Sequence, residues 1–282
     1  METVSRVLHW ASEQLSQAGV ENPSVDAERL VQHVLGAPRL DLYLNPDRPL
    51  TPSESARLRD ALRQRCSRIP LQHLTGETEF WSLPFFVNDA VLIPRPETES
   101  LVEAVLAQLR DIPHPRIVDI GTGSGCIAVS LAHERPEGLV VATDLSPAAL
   151  RVARANVLRN KVHVRLVAGD LIEPFGPSVQ FDAIVSNPPY IRREGIETLQ
   201  PEVRDHEPRL ALDGGEDGFS VHRRLVACAG RHLRPGGWLA LEVGWWQIGA
   251  VVKMLRGSED FETVTRYKDL TGIERVAVAR RR

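Results

Sequence analysis

Arg116-Ile117-Val118-Asp119-Ile120-Gly121-Thr122-Gly123-Ser124-Gly125 reads as one strand running straight into a glycine-rich turn. β-Branched residues dominate its first half, as a buried strand requires, and Cys126 to Ala132 continue as a helix. Glycines at that junction let the backbone approach a ligand closely at a helix amino terminus. From Pro115 onward strands and helices alternate, which predicts a parallel sheet covered on both faces.

The next strand, Leu139-Val140-Val141-Ala142-Thr143, ends at Asp144, which lies 23 positions after Gly121, where an acid can grip ribose hydroxyls. Its helix opens with Ser146 as N-cap and Pro147 at the first position. A third strand, 162–167, runs to Gly169-Asp170-Leu171. A fourth, 181–185, delivers Ser186-Asn187-Pro188-Pro189-Tyr190 just past a strand's carboxyl end, where open α/β sheets bind ligands. Two consecutive prolines have no N–H and narrow the backbone choices, so the Asn187 side chain and the Pro188 carbonyl point in fixed directions. Such a rigid pair of acceptors beside the Tyr190 ring suits a planar NH2 group, with both N–H bonds held and the nitrogen free to attack a methyl sulfonium in line. The plainer alternative is an Asn-Pro turn that ends a strand. Residues 194–218 form a long acidic segment rich in proline and glycine. Strands at 238–243, 261–267 and 275–279 complete the sheet, the last two able to pair antiparallel.

Upstream, residues 1–75 show helical periodicity and make a small helical domain. Thr51-Pro52-Ser53-Glu54 is a capping box with proline at the first helical position. The helix it opens carries Arg57, Arg59, Arg63, Arg65 and Arg68, a face suited to an acidic partner or RNA phosphates, though a solvated face is the commoner meaning of such a run. Residues 76–96 concentrate aromatic side chains and predict a hairpin of 80–87 and 91–93 turning at Asn88-Asp89, with 97–282 as the catalytic domain beyond it. Pro94-Arg95-Pro96-Glu97-Thr98-Glu99 then opens a helix, with acids in the first turn. Arg95, between two prolines, is hard to explain as capping.

Composition sets limits. The chain has 282 residues, 43% of them hydrophobic, enough for one large domain and a small one. A net charge of −3 provides no basic field for gripping DNA directly. Cys66, Cys126 and Cys228 have neither pair nor metal-ligand spacing, and are expected as reduced core thiols of a cytoplasmic protein that needs no metal. No apolar run approaches the ~18 residues of a membrane span.

A glycine turn plus a ribose acid is common to NAD enzymes and S-adenosylmethionine methyltransferases. Here the pattern is Gly-x-Gly-x-Gly, with Cys126 where a dinucleotide fingerprint has its third glycine, and together with Asn-Pro-Pro-Tyr this favours S-adenosyl-L-methionine. Along nearly its whole length the chain resembles the release factor glutamine methyltransferases. The matching stretches are 70–76, Phe80-Trp81, 93–99, 119–125, 186–191, Glu207-Pro208-Arg209-Leu210-Ala211-Leu212-Asp213-Gly214-Gly215, 233–237, Glu242-Val243-Gly244 with Gln247, and 267–270.

The resemblance implies a Rossmann-like α/β fold: a seven-stranded methyltransferase sheet with its last strand antiparallel, behind a helical domain that helps dock the release factor. It assigns Gly121, Thr122, Gly123, Ser124, Gly125 and Asp144 to S-adenosylmethionine, with Leu171 near the adenine and Asn187 touching both ligands. Asn187, Pro188, Pro189 and Tyr190, with Arg95, would hold the glutamine; Asn187, Pro188 and Tyr190 are the catalytic set. The implied activity is methylation of the glutamine amide nitrogen in the Gly-Gly-Gln loop of class I peptide chain release factors, by a monomer without direct DNA or membrane binding. Some family members have tryptophan where this chain has Leu171, so stacking on the adenine is lost. Rival readings are a glutamine methyltransferase of a ribosomal protein, a nucleic-acid N-methyltransferase that flips a base, and a non-catalytic binding module. No general base is evident: Glu97, Glu99 and Asp144 all have simpler roles.

Overall fold

The computed structural model describes residues 2–282. Its chain forms two compact units: the first runs to Gly76 and takes in Gln200–His206, the second comprises Glu77–Leu199 and Glu207–Arg282.

The first unit is helical. Helices Val4–Gln17, Pro23–Leu35 and Pro52–Cys66 bury Val7, Leu15, Leu30, Val31, Leu58 and Leu62 in one apolar cluster. The capping box forms as expected: the Glu54 N–H donates to Thr51 Oγ1 at 3.2 Å, and the Thr51 N–H donates to Glu54 Oε2 at 2.8 Å. The arginine run does not make one face. Arg57 donates to the Val34 carbonyl, Arg59 meets Glu2, and Arg63 bonds Asp60 one turn back. Arg65 is 6% exposed, its Nε 2.7 Å from Asp26 Oδ2 and its Nη2 2.8 Å from Glu202 Oε1. Arg68 binds the same Glu202 through Nε and Nη2. Arg65 therefore leaves the expected docking face. Gln200–His206 belongs to this unit for the same reason, since its Glu202 is held by two of the unit's arginines.

The second unit is α/β. Strands β1 (Glu77–Phe80) and β2 (Leu83–Phe86) form a two-stranded hairpin, and β3 (Arg116–Ile120), β4 (Leu139–Asp144), β5 (Val164–Ala168), β6 (Phe181–Ser186), β7 (Leu233–Glu242), β8 (Phe261–Lys268) and β9 (Glu274–Arg281) form one sheet. Its order is β5-β4-β3-β6-β7-β9-β8, parallel except that β9 runs antiparallel to β7 and β8. Alternation along β3 sends Ile117 into one core and Val118 into the other, so both faces are covered by helices. Strand order reverses between β3 and β6, the switch point at which such sheets open a crevice.

The hairpin turns earlier than its sequence suggests. Phe80 pairs with Leu83, leaving Trp81 and Ser82 as a two-residue loop with φ of 54° and 56°, while 91–93 is not a strand. Non-glycine residues resist that left-handed region. Here Glu99 Oε1 accepts the Trp81 N–H at 2.7 Å and Glu134 Oε1 accepts its indole N–H at 2.8 Å. The segment 194–218 is also less irregular than its composition implies, holding helical turns at Arg193–Thr198, Pro201–His206 and Arg209–Leu212. Of the cysteines only Cys126 is a core thiol; Cys66 and Cys228 are half-buried, and all three are unpaired.

Candidate active site

A cavity of about 270 Å³ opens at the carboxyl ends of β3, β4 and β6. Its floor is the loop after β3, where Gly121, Gly123 and Gly125 have φ of 72°, 55° and 83°. A side chain at Gly121 or Gly123 would meet no atom within 4 Å, so backbone conformation demands glycine there and leaves open space above. Gly125 differs: a Cβ would come 3.2 Å from Ala153 on the helix Pro147–Arg159. At the next position the Cys126 thiol is pushed up to about 12 by burial and stays protonated.

Asp144, at the end of β4, is 9% exposed and lines the cavity. Its Oδ2 accepts the Gly123 N–H and its Oδ1 the Ser146 N–H, both at 2.8 Å. Each oxygen keeps a lone pair for a hydroxyl. Leu171, with φ of 50° and its carbonyl bonded by Thr143 Oγ1, presents an apolar side to the same space, as do Val91 and Leu145. An adenine, a diol and a short polar chain match, in turn, the apolar wall, the carboxylate and the glycine floor.

Asn187 and Pro189 line the cavity; Pro188 is buried behind them and Tyr190 stands half-buried to the side. Asn187 Nδ2 donates to Thr98 Oγ1 at 3.2 Å. Arg95 also lines the cavity, but its Nη2 lies 2.7 and 2.8 Å from the two oxygens of Glu207, so its charge is already matched. That ion pair joins the 93–99 and 207–215 stretches. Gly125, Pro188 and Tyr190, unlike Gly121, Thr122, Gly123, Ser124, Asp144, Leu171, Asn187, Pro189 and Arg95, do not line the cavity.

Several residues that pin Asn187 to Tyr190 lie in the stretches shared with the family but were given no role at the site from sequence. Gln247 is fully buried: its Nε2 donates to the Tyr190 and Gly218 carbonyls at 3.1 and 2.8 Å, and its Oε1 accepts the Gly244 N–H. The Ile191 N–H bonds the Leu212 carbonyl and the Gly214 N–H bonds the Ile191 carbonyl. A Cβ on Gly214 would lie 2.8 Å from Tyr190 Cα and 2.9 Å from the Pro189 carbonyl oxygen. Gly214→Ala is thus expected to push the whole stretch, destabilising the unit by about 1–3 kcal/mol as overpacking does. Misplaced acceptors should lower turnover by roughly 10²-fold. Thermal melting and single-turnover kinetics on one sample test both effects, and a variant with wild-type kinetics would show that the backbone there gives way freely.

Behind Asn187 stands Glu242, the last residue of β7, which the sequence placed inside a strand and in a stretch shared with the family but gave no role at the site. It is 2% exposed and its carboxyl is pushed up to about 7, chiefly by burial, against the opposing effects of Thr98 and Arg275. Asp119, at the end of β3, is likewise raised to about 7 by burial, despite a 2.6 Å bond from Thr122 Oγ1.

Two family models match the chain: PrmC N-terminal domain over residues 6–76 and Methyltransferase small domain over residues 97–203. The release factor glutamine methyltransferase of Geobacter sulfurreducens is 44% identical over 279 residues, spanning 99% of this chain and 96% of that protein. That of Koribacter versatilis is 41% identical over 279 residues, spanning 99% of both. Among solved structures, the T. thermophilus 16S rRNA N2 G1207 methyltransferase in complex with AdoMet and guanosine superposes with a TM-score of 0.52 at 19% identity, covering 73% of this chain and 50% of that one. At that identity the likeness speaks for the fold alone, a methyltransferase sheet.

Proposed function

We infer the reaction from one premise: this chain belongs to the release factor glutamine methyltransferase family. It is an S-adenosylmethionine-dependent methyltransferase, and its acceptor is the side-chain amide nitrogen of a release factor glutamine, the one in the Gly-Gly-Gln loop of class I factors. The observation that carries the reading is one cavity with a glycine floor and Asp144 at one end and Asn187 at the other. The work is done in the cytoplasm, and among the described residues no helix is long and apolar enough to cross a membrane.

S-Adenosylmethionine, when bound, supplies an electrophilic methyl group. Asp144 would take the ribose hydroxyls, Gly121 to Gly125 would let the amino-acid portion lie against the backbone, and Leu171 would cover the adenine. Asn187 Oδ1 and the Pro188 carbonyl accept the two N–H bonds of the glutamine amide, and Tyr190 packs on its flat face. A carboxamide nitrogen is a poor nucleophile because its lone pair is delocalised, so positioning has to supply much of the rate, up to ~7–11 kcal/mol in well-oriented systems. As the nitrogen bonds to carbon its N–H bonds become more acidic, and the two acceptors then bind more strongly than in the ground state. Arg95, matched by Glu207, shapes the entrance and holds two stretches of the site together.

Incubating the protein with methyl-labelled S-adenosylmethionine and release factor, ribosomal protein or DNA in separate reactions tests the acceptor. Label on the release factor glutamine is expected; label only on ribosomal protein or DNA would overturn it. Asp144→Ala should weaken S-adenosylmethionine binding by about 1–3 kcal/mol, the value of a hydrogen bond to a charged group. Calorimetry reads this directly, and an unchanged Kd would remove Asp144 from the cofactor site.

A further inference from the structure

The carboxyl of Glu242 is placed where it can act on Asn187. Leu241 pairs with Ser186 across β7 and β6, so Glu242 at the end of β7 comes beside Asn187, the first residue past β6, and their side chains are within hydrogen-bonding reach. The Glu242 main chain is fixed from behind by the buried His222, whose Nε2 lies 3.0 Å from its carbonyl oxygen. A carbonyl only accepts, so that nitrogen carries the proton, and burial lowers the His222 pKa and keeps the ring neutral. Around the carboxyl, Arg275 of β9 favours its charge and Glu97, in the turn before the helix Glu99–Gln108, opposes it; Tyr190 senses that charge from the loop that follows β6. Thr98 and Asn187 are the hydrogen-bonding side chains that favour its ionised form, while Oε2 is buried without a partner. A buried orphan oxygen of this kind calls for a role.

Asn187 donates through Nδ2 to Thr98 Oγ1. A hydroxyl that accepts one bond still has its own proton to give, and the charged group beside it that can only accept is Glu242. We propose that Glu242 is a positioning residue that sets the polarity of the Asn187 carboxamide: as a carboxylate it accepts a hydrogen bond from the Thr98 hydroxyl, Thr98 accepts from Asn187 Nδ2, and Oδ1 faces the substrate amide. A protonated Glu242 reverses the chain. It donates to Thr98, Thr98 donates to Oδ1 of a turned-over carboxamide, and an NH2 group then meets the NH2 of the glutamine, donor against donor. The proposal rests on the amide-methylation reading and adds to it the group that keeps Asn187 an acceptor.

Two measurements test it. In kinetics with release factor, wild-type kcat should fall about tenfold per pH unit below a midpoint near 7, the behaviour of one required ionised group. Glu242→Gln should lose that acid limb and plateau about tenfold lower, because an amide accepts more weakly and can itself turn over. Thr98→Val should lower kcat by roughly 10- to 100-fold, with KM for release factor nearly constant, and Thr98→Ser should restore it. An acid limb retained in Glu242→Gln, or full kcat in Thr98→Val, would overturn the proposal. By NMR of the protein alone, the Glu242 carboxyl carbon and the Asn187 NH2 pair should titrate with one midpoint, and in Glu242→Gln the Asn187 pair should stop responding to pH in that range. If they titrate together but release factor is not methylated, the amide-methylation reading fails and the network stands. If Asn187 does not follow Glu242 in the wild type, the network is wrong whatever the acceptor.

Discussion

Asn187→Ala is expected to lower kcat for release factor methylation on the order of 10³-fold, the size of effect seen when one preorganised transition-state contact is removed from an active site. The expectation comes from position. Asn187 lines the cavity that holds Asp144 and the glycine loop, follows directly on β6 at the switch point, and is fixed behind by Thr98. Stability should fall by only about 1–3 kcal/mol, for the bonds lost to Thr98 and the Glu242 carboxyl, because the strand end stays tied by Ser186 Oγ to the Ile120 carbonyl at 2.7 Å. Asn187→Asp is the less informative variant. It would set a second carboxyl beside Glu242, and two buried carboxyls in contact share a proton rather than both ionising. Single-turnover methylation measured beside thermal melting separates the readings, and an active but destabilised Asn187→Ala protein would reduce the stretch to a strand-ending turn.

The sheet and the ligand loop could be read from sequence because their signals are local. A β-branched run followed by glycines at alternate positions has few other uses, and Gly121, Gly123 and Gly125 all adopt the backbone that only glycine takes without strain. Asp144 was legible for the same reason, as the last residue of the following strand. The hairpin turn was not, because Trp81-Ser82 contains none of the residues that favour φ above zero; the carboxylates of Glu99 and Glu134 that accept its hydrogen bonds lie 18 and 53 positions away. Glu242 was invisible as a site residue, since its place beside Asn187 depends on β7 pairing with β6 across nearly fifty intervening residues. Gly214 entered only as part of a stretch shared with the family; its physical reason is the Tyr190 backbone packed against it. Arg65 was hidden by its neighbours: among five arginines it looked like one more exposed cation. Its spacing told otherwise, for 58, 62 and 65 are turns apart on one face, and Leu58 and Leu62 are core.

Arg65→Ala should therefore act on folding rather than docking, destabilising the helical unit by about 3–5 kcal/mol, as loss of one partner from a buried ion pair does. Asp26 and Glu202 would be left facing apolar surroundings, with Arg68 alone on Glu202. The pH dependence follows from Glu202. Desolvation pushes its carboxyl up, but hydrogen bonds from Arg68 and Arg65 outweigh it and bring it down to about 2. A carboxyl depressed in the folded state adds stability that is full above its unfolded value, near 4.5, and is lost as pH falls towards 2. The wild-type unit should thus weaken across that acid window, and Arg65→Ala should already be weak at neutral pH and lose less on acidification. Arg63→Glu is the contrasting variant: its guanidinium is exposed beside Asp60, so stability should stay within about 0.5 kcal/mol. Any rise in KM for release factor in that variant would then be docking. Denaturant titrations of both proteins at pH 3 and pH 7 decide the matter, and an Arg65→Ala protein as stable as wild type at pH 7 would show that the buried pair contributes nothing net to the fold.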